Sequence, residues 1–548
     1  MSPTPPGRER FTRASWLDRP VPARRLGWLG DALVLVLPVV ALLHAAVYDM
    51  PFEDAYISFR YAENLASGLG LVYNPGEVVE GYTSFGWVVI LAAARLAHLP
   101  VPAVATFLSL ASGLGVVVAT AALSQAWLGT RGTWRAGPAI LVLTSGTWAY
   151  YAGSGMETTL FVLLLLIALL LLARGDVVAA TWAGVVMAAA AMVRPEGVGY
   201  AAVLLAALLF DSDGRKQALV MLAVFGLLFG PYLAWRWIHF GYPLPNTFYA
   251  KAAVSQAGFV VGLVQVEEFL TTQLFWLVPV ALGACFVLCG AQRWVRLATA
   301  VVAGAVIDVV LVGGDGFAFY RFLLPAVPVG AVAIVGAGRA LMGIERVAGL
   351  RGRISPRFVG GVLFVLLCAW TFHAPFRSRT SLTGERPDSQ YARVMDVRRI
   401  NEEYFVVGAW LGRNFAPGTL IATNAAGIVP YVSGLPTIDM LGLNDVHIAH
   451  RDIPLGKVTL GHEKHDGRYV LSRRPDVILL GLPVLTDTSI RSSELELWFS
   501  GWWPYLPGDR DIFYDPTFRR DYVPYCVKVT DTAYLTLFLG TGSLSASP

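Results

Sequence analysis

Charge is what this 548-residue chain has least of. Asp, Glu, Lys and Arg make up only 15% of it, while 55% is hydrophobic and the mean hydropathy is +0.57. Soluble chains carry about 25% charged residues, so a wholly soluble globular protein is excluded. The net charge of +4 is too small for a nucleic-acid footprint. Cysteine is also scarce. Cys285, Cys289 and Cys368 lie in apolar runs and Cys526 stands alone near the C-terminus, which excludes a disulfide framework. Cys285 and Cys289 are four apart with no nearby His or carboxylate, so they read as packing residues and not as metal ligands. Internal repeats and low-complexity segments are lacking, and no small-residue cleavage site follows the first apolar run.

What the chain has in abundance is long apolar segments. They run over about 27–48, 84–99, 103–127, 136–151, 157–173, 177–193, 198–210, 217–238, 272–290, 296–312, 322–340 and 358–372. Arg8, Arg10, Arg13, Arg19, Arg24 and Arg25 precede the first, which by the positive-inside rule puts residues 1–26 in the cytoplasm. Arg131, Arg135, Arg174, Arg215, Lys216, Arg293, Arg296 and the basic run 346–357 mark further cytoplasmic loops. These marks fit if one segment between 84 and 127 fails to cross. The stretch 84–99, short and carrying Arg95 and His98, is the candidate. The expectation is an α-helical polytopic membrane domain, 27–374, with about eleven crossings. From 375 to 548 the composition turns soluble. An amphipathic helix around Leu411 and strands at 419–424 and 477–481 predict a small extracytoplasmic α/β domain.

Polar clusters interrupt the apolar sequence, and all fall on the side assigned to the outside. The first is the loop 49–87, where Glu53 and Asp54 begin a helical pattern that Gly68 and Gly70 stop before the turn Asn74-Pro75-Gly76. In the second, Ser154-Gly155-Met156-Glu157-Thr158, Ser154 and Glu157 have capping-box spacing. The third, Arg194-Pro195-Glu196-Gly197, reads on its own as a self-neutralising pair. The fourth runs from Gly241 to Lys251 and joins Asn246, Tyr249 and Lys251; its tyrosines alone would suit interfacial anchors. The fifth places Asp315 before Tyr320 and Arg321, with Asp308 one or two turns earlier. Amides and aromatic faces suit sugars, and fixed cations suit a phosphodiester. His447, His450, His462 and His465 lack a tight ligand spacing, so a structural or acceptor-binding role is favoured over a metal site.

The loop EDAYISFRYAENLASGLGLVYNPGEVVEGYT resembles the first extracytoplasmic loop of bacterial membrane glycosyltransferases of the GT-C fold, in particular the branch of mycobacterial terminal arabinofuranosyltransferases of the cell wall. The other clusters follow that family's motifs in order, and the stretches 438–450 and 461–467 are similar to its outer domain. The resemblance implies transfer of a sugar from a polyprenyl-phosphate donor to a glycan acceptor at the outer face of the bacterial cytoplasmic membrane. It implies catalytic carboxylates at Asp54 and Glu53, where the family has Asp-Asp. Arg194, Glu196, Asn246, Lys251, Asp315 and Arg321 are then expected at the donor, and Arg60, Glu157, Tyr249 and Tyr320 at the acceptor or in ordering the loop. No cofactor or metal ligand set is assigned, and use of a divalent cation is left open. The rival class, a transporter or flippase of lipid-linked sugar, fits less well with one-sided polar clusters, a large outer domain and no paired broken helices in two halves. A reporter active only in the cytoplasm, fused after Pro548, should be silent; strong activity there would overturn the topology.

Overall fold

The computed structural model describes residues 27–50, 52–210, 212–251, 256–342, 356–381, 384–453, 461–482, 485–489, 494 and 506–542. The basic N-terminus 1–26 and most of the basic run 346–357 lie outside them.

The membrane portion opens with α1 (Gly27–Ala46), followed by the loop helix α2 (Glu53–Ala66). Then come α3 (Phe85–Leu96), α4 (Val101–Leu128), α5 (Thr133–Leu143), α6 (Gly146–Ala152), α7 (Thr158–Arg174), α8 (Val177–Val193), α9 (Glu196–Leu209) and α10 (Ser212–Phe240). After α11 (Asn246–Lys251) follow α12 (Gln256–Thr272), α13 (Leu277–Cys289), α14 (Arg293–Val312), α15 (Ala326–Met342) and α16 (Pro356–His373). Among the described residues, four helices are long and apolar enough to cross a membrane, α12 and α13 form one pair bent by 78°, and seven apolar helices are shorter. Helix length alone therefore does not reproduce the eleven crossings expected. The candidate partial segment is short: the 12 residues of α3 span about 18 Å, against about 30 Å of hydrocarbon.

The apolar surface of these helices is turned outward. Leu227 of α10 is 74% exposed and Val287 of α13 72%, a pattern suited to lipid and costly in water. Inside, small residues let backbones approach. A Cβ on Gly184 of α8 would stand 2.9 Å from the Met221 carbonyl of α10, and one on Gly262 of α12 would stand 2.7 Å from the Val309 carbonyl of α14.

Two segment boundaries differ from expectation. The region 136–151 is not continuous, because the chain leaves helical geometry at Ser145 between α5 and α6. Helix α12 has no counterpart among the expected segments, since Gln265, Glu267 and Glu268 dilute its hydropathy. Leu274, at φ 52°, makes the sharp break before α13.

Beyond α16, β1 (Ser378–Ser381) and β2 (Gly384–Ser389) form an antiparallel hairpin. The long helix α17 (Gln390–Asn414) leads into β3 (Ile421–Thr423), α18 (Ile428–Ser433), β4 (Thr437–Asp439), α19 (Val446–Ala449), α20 (Gly467–Ser472) and β5 (Val477–Ile478). Last come α21 (Pro507–Phe513), α22 (Pro516–Asp521), β6 (Tyr522–Thr530) and β7 (Ala533–Gly540). The strands make one mixed sheet in the order β4-β3-β5-β7-β6, parallel at β4-β3-β5 and antiparallel from β5 onward.

Helix α2 is clamped between these two parts. Tyr56 packs edge-on against Phe405 of α17 and Tyr431 of α18, at 5.4 and 5.2 Å between ring centres. After it, Gly68 and Gly70 adopt φ of 78° and 94°, conformations that end a helix at little cost only for glycine. The turn at Asn74-Pro75-Gly76 closes with Glu77 N–H donating to the Asn74 carbonyl at 3.1 Å.

Candidate active site

The first turn of α2 points its two carboxylates to different partners. Glu53 accepts from the backbone N–H groups of Gly427 and Ile428, at 2.6 and 2.8 Å, where the C-terminal domain starts α18. No side chain fits at position 427, because a Cβ there would stand 1.9 Å from the Glu53 carbonyl oxygen. Burial pushes the Glu53 carboxyl up to about 7, with Asp54 and Asp439 adding to the rise against the pull of the two N–H groups. Asp54 turns the other way and pairs with Lys251 at 3.0 Å, both side chains remaining partly exposed, at 27% and 38%. Burial pushes its carboxyl up, but the charge and hydrogen bond of Lys251, joined by Arg321 and His462, together hold it below the usual carboxylate range.

Arg60, about two turns along α2, is buried and its guanidinium makes four hydrogen bonds. Nε donates to the Tyr73 carbonyl at 2.8 Å, and the two terminal nitrogens donate to the carbonyls of Pro430 and Leu435, at 2.5 and 2.8 Å, and to Asn74 Oδ1 at 3.2 Å. It thus orders the loop and ties it to the C-terminal domain. Asn246, expected at the donor, is buried; its amide donates to the carbonyls of Gly442, Leu443 and Asp445. That contact holds α11 against α19 and leaves no donor-facing N–H. Tyr249 does similar work, with its ring 4.2 Å from that of His450, which also meets Tyr242 at 4.4 Å.

A second charged group sits beside the first. Arg321 forms a two-pronged pair with Asp315, at 3.1 and 3.2 Å, and Asp315 in turn exchanges two backbone hydrogen bonds with the Gln265 side chain. Arg194 is buried between two acids, Glu157 at 2.7 Å and Glu196 at 2.6 Å. The rings order this group too: both guanidiniums meet the ring of Phe322, with Arg194 Cζ 5.4 Å and Arg321 Cζ 4.9 Å from its centre. Asp308, within the membrane segment, lies in the field of Glu196 and Arg194.

The spacing read as a capping box does not act as one. Ser154 bonds back to the Tyr151 carbonyl and receives Met156 N–H, while Glu157 is taken by Arg194. A charge-assisted pair outweighs a neutral cap. The self-neutralising reading of Arg194 and Glu196 fits this geometry.

Phe319 and Tyr320 both hold positive φ, 64° and 55°. Such conformations cost about 1–3 kcal/mol each and persist only when surroundings fix them. Here Gln390, the first residue of α17, does so: its Oε1 accepts Phe319 N–H at 3.2 Å and its Nε2 donates to the Tyr320 hydroxyl at 3.1 Å. The kink delivers Arg321 to the site.

The architecture matches solved membrane enzymes. ArnT of Cupriavidus metallidurans, crystallised with undecaprenyl phosphate, superposes at a TM-score of 0.59 and 13% identity, over 94% of this chain and 99% of that one. The fold is that of the GT-C glycosyltransferases. The apo form of ArnT gives 0.57 at 13% identity over 95% and 99%. The oligosaccharyltransferase of Archaeoglobus fulgidus, tethered to an acceptor peptide, gives 0.51 at 11% identity over 93% of this chain and 74% of that one. A family model described as a domain of unknown function, DUF8728, matches residues 393–529. No curated protein matches by sequence.

On this GT-C frame some working residues escaped sequence reasoning. Glu80 and Arg236 form a buried pair at 2.7 Å that fastens the far end of the loop to α10. The signal was present, since a lone arginine closing an apolar segment demands an acid. His462 belongs to a stretch assigned to structure or acceptor, yet its charge reaches Asp54, and a Cβ on Gly461 would stand 3.2 Å from Lys251 Cγ. Among the described residues no three His, Cys, Asp or Glu side chains group as metal ligands.

The Glu53 clamp has a measurable sign. Its proton is held more tightly in the folded chain than in the unfolded one, so its contribution to stability is full below about pH 4.5 and is lost as pH rises through about 7. Thermal unfolding of the detergent-solubilised protein between pH 5 and 8 should therefore fall less steeply in Glu53→Gln than in the wild type. Parallel profiles would remove Glu53 from this role.

Proposed function

We propose that this protein is a glycosyltransferase that moves a sugar from a polyprenyl phosphate to the hydroxyl of a cell-envelope glycan, at the outer face of the bacterial cytoplasmic membrane. The observation that carries the reading is the Asp54–Lys251 pair. It joins a carboxylate and a cation, both partly open, at the junction of membrane helices and outer domain, in a fold whose solved example holds a polyprenyl phosphate. The resemblance of the loop makes arabinofuranose the sugar proposed.

The acceptor oxygen attacks the anomeric carbon, the bond from that carbon to the phosphate oxygen breaks, and the acceptor proton passes to Asp54. Polyprenyl phosphate leaves with the bonding electron pair. Lys251 and Arg321 stabilise the charge that develops on it, the role in which fixed cations do most for a transition state. Both belong to ion pairs before the donor arrives. When the phosphate shares Lys251, Asp54 loses part of the stabilisation of its charged form and becomes a stronger base.

Arg194 differs from these two, because its buried fork is spent on Glu157 and Glu196. It braces Arg321 through Phe322. Glu53 positions Asp54 and is not the base that receives the acceptor proton. The polyprenyl chain passes over a mainly apolar hollow of about 50 Å³ lined by Phe269, Leu274, Phe275, Val278, Val327 and Leu367, which has room for no more than part of one isoprene unit. This hollow lies at the α12–α13 break, and Phe269 meets Tyr320 at 5.2 Å, next to Arg321.

Asp54→Asn keeps the size of the side chain and removes the base. Single-turnover transfer should fall by roughly two to four orders of magnitude with donor binding retained, and Glu53→Gln should cost less. Near-normal transfer by Asp54→Asn would sink the assignment.

Lys251→Met tests the phosphate contact separately. Loss of a charge-assisted bond costs on the order of 1.5–3 kcal/mol, so apparent donor affinity should weaken by roughly one to two orders of magnitude while acceptor KM holds. The acid limb of the pH–rate profile should also move up toward the ordinary carboxylate range, since Lys251 no longer holds the Asp54 proton off. An unchanged donor affinity would return Lys251 to a purely structural pair.

A further inference from the structure

The outer domain carries a cleft of about 620 Å³ between the start of α20 and the end of α21, bordered by Arg451, His465, Asp466, Arg510, Asp511 and Tyr514. Its volume is that of a small-molecule site. Its floor is built by close backbone approach. A Cβ on Gly467 would stand 2.8 Å from that of Asp511, and one on Gly508 the same distance from that of His465.

The polar groups around it are matched in sign. His465 Nδ1 lies 2.7 Å from Asp511 Oδ2, Arg451 Nε 3.3 Å from Asp466 Oδ2, and Arg468 Nε 3.9 Å from Asp515. Each pair sets a donor beside an acceptor and leaves little net charge, an arrangement that fits adjacent hydroxyls and offers no excess of cations to a polyanion. Tyr514 is 52% exposed, with its ring braced edge-on by Phe513 at 5.3 Å and flanked by Arg519 at 5.8 Å. A fixed, open aromatic face of this kind suits the C–H side of a sugar ring.

The cleft is linked to the candidate active site along the chain by one short segment. A Cβ on Gly461 would stand 3.2 Å from Lys251 Cγ and the charge of His462 reaches Asp54, while His465, Asp466 and Gly467 line the cleft. Three residues of extended chain cover at most ~11 Å, the length of a few sugar rings.

We propose that this cleft is a binding site for an uncharged stretch of the acceptor glycan, holding the chain behind the hydroxyl that reacts at Asp54. The assignment of the ligand as acceptor rests on the glycosyl-transfer reading; the presence of a site for neutral glycan does not. Tyr514 and Arg510 touch neither Asp54 nor Lys251 in any contact described, and both are on the surface, so they can be changed without disturbing the reaction centre.

The test is calorimetric titration of the full-length protein in detergent with hexasaccharides of arabinan, galactan and mannan, and with a sulfated hexasaccharide as the anionic arm. At least one neutral hexasaccharide should bind, and Tyr514→Ala with Arg510→Ala should weaken it about tenfold or more. Tyr514→Phe, which keeps the ring, should restore the aromatic contribution, and the unfolding midpoint should not move. With a polyprenyl-phosphate arabinofuranose donor, the double variant should raise KM for the hexasaccharide acceptor and leave kcat for a disaccharide acceptor unchanged. Equal binding by variant and wild type, no neutral binding to the wild type, or preference for the sulfated chain would each overturn the proposal. Binding that depends on Tyr514 without any sugar transfer would instead leave the cleft standing and reject the catalytic reading.

Discussion

Charges taken out of water must be neutralised where they stand, and that constraint organises the layer where the membrane helices meet the outer domain. Glu80 answers Arg236, Glu157 and Glu196 answer Arg194, Asp315 answers Arg321, and Asp54 answers Lys251. Isolated charges at such a boundary are expensive, and a buried pair broken on one side costs several kcal/mol. The loop helix α2, the kink at Phe319-Tyr320 and the end of α10 are all held in the places where these pairs can close.

The pairs are not equivalent. Glu80–Arg236 and Arg194 with its two acids are nearly sealed, with side-chain exposures of 3–13%. Arg321 is 15% exposed, and among the pairs just named only Asp54–Lys251 is substantially open. Buried pairs are fixed architecture; an open one can exchange partners when a ligand brings its own charge. The gradient of exposure thus separates the groups that shape the site from those able to react in it, a distinction that residue type alone does not make.

Sequence made the local features legible. The helix after Glu53, its glycine stop, the Asn74-Pro75-Gly76 turn and the clustering of charges at segment ends all follow from short-range pattern. What the sequence concealed was set by long-range contact. Nothing near Glu53 announces that Gly427 and Ile428, 374 and 375 residues later, will each offer it an N–H group, and nothing near Asn246 shows that its amide will be spent on carbonyls of Gly442, Leu443 and Asp445. Helix α12 was missed for the opposite reason, since Gln265, Glu267 and Glu268 in its second half lowered its hydropathy. Ser154 and Glu157 had the right spacing for a cap but the wrong competitor, as Arg194 holds the stronger claim on the acid.

The engagement of Arg60 has a consequence for modularity. Its guanidinium is shared between carbonyls of its own loop and carbonyls of Pro430 and Leu435 in the outer domain, while Glu53 from the same helix covers the N–H groups that begin α18. Neither half is therefore a finished folding unit at this seam: cut apart, one would bury an arginine with too few acceptors and the other would leave a helix start uncapped. An outer domain of this kind is not a cassette that can be exchanged among membrane bodies by joining chains at a linker. A chimera would have to carry the loop helix together with the domain it clasps, so the unit of transplantation is the interface itself.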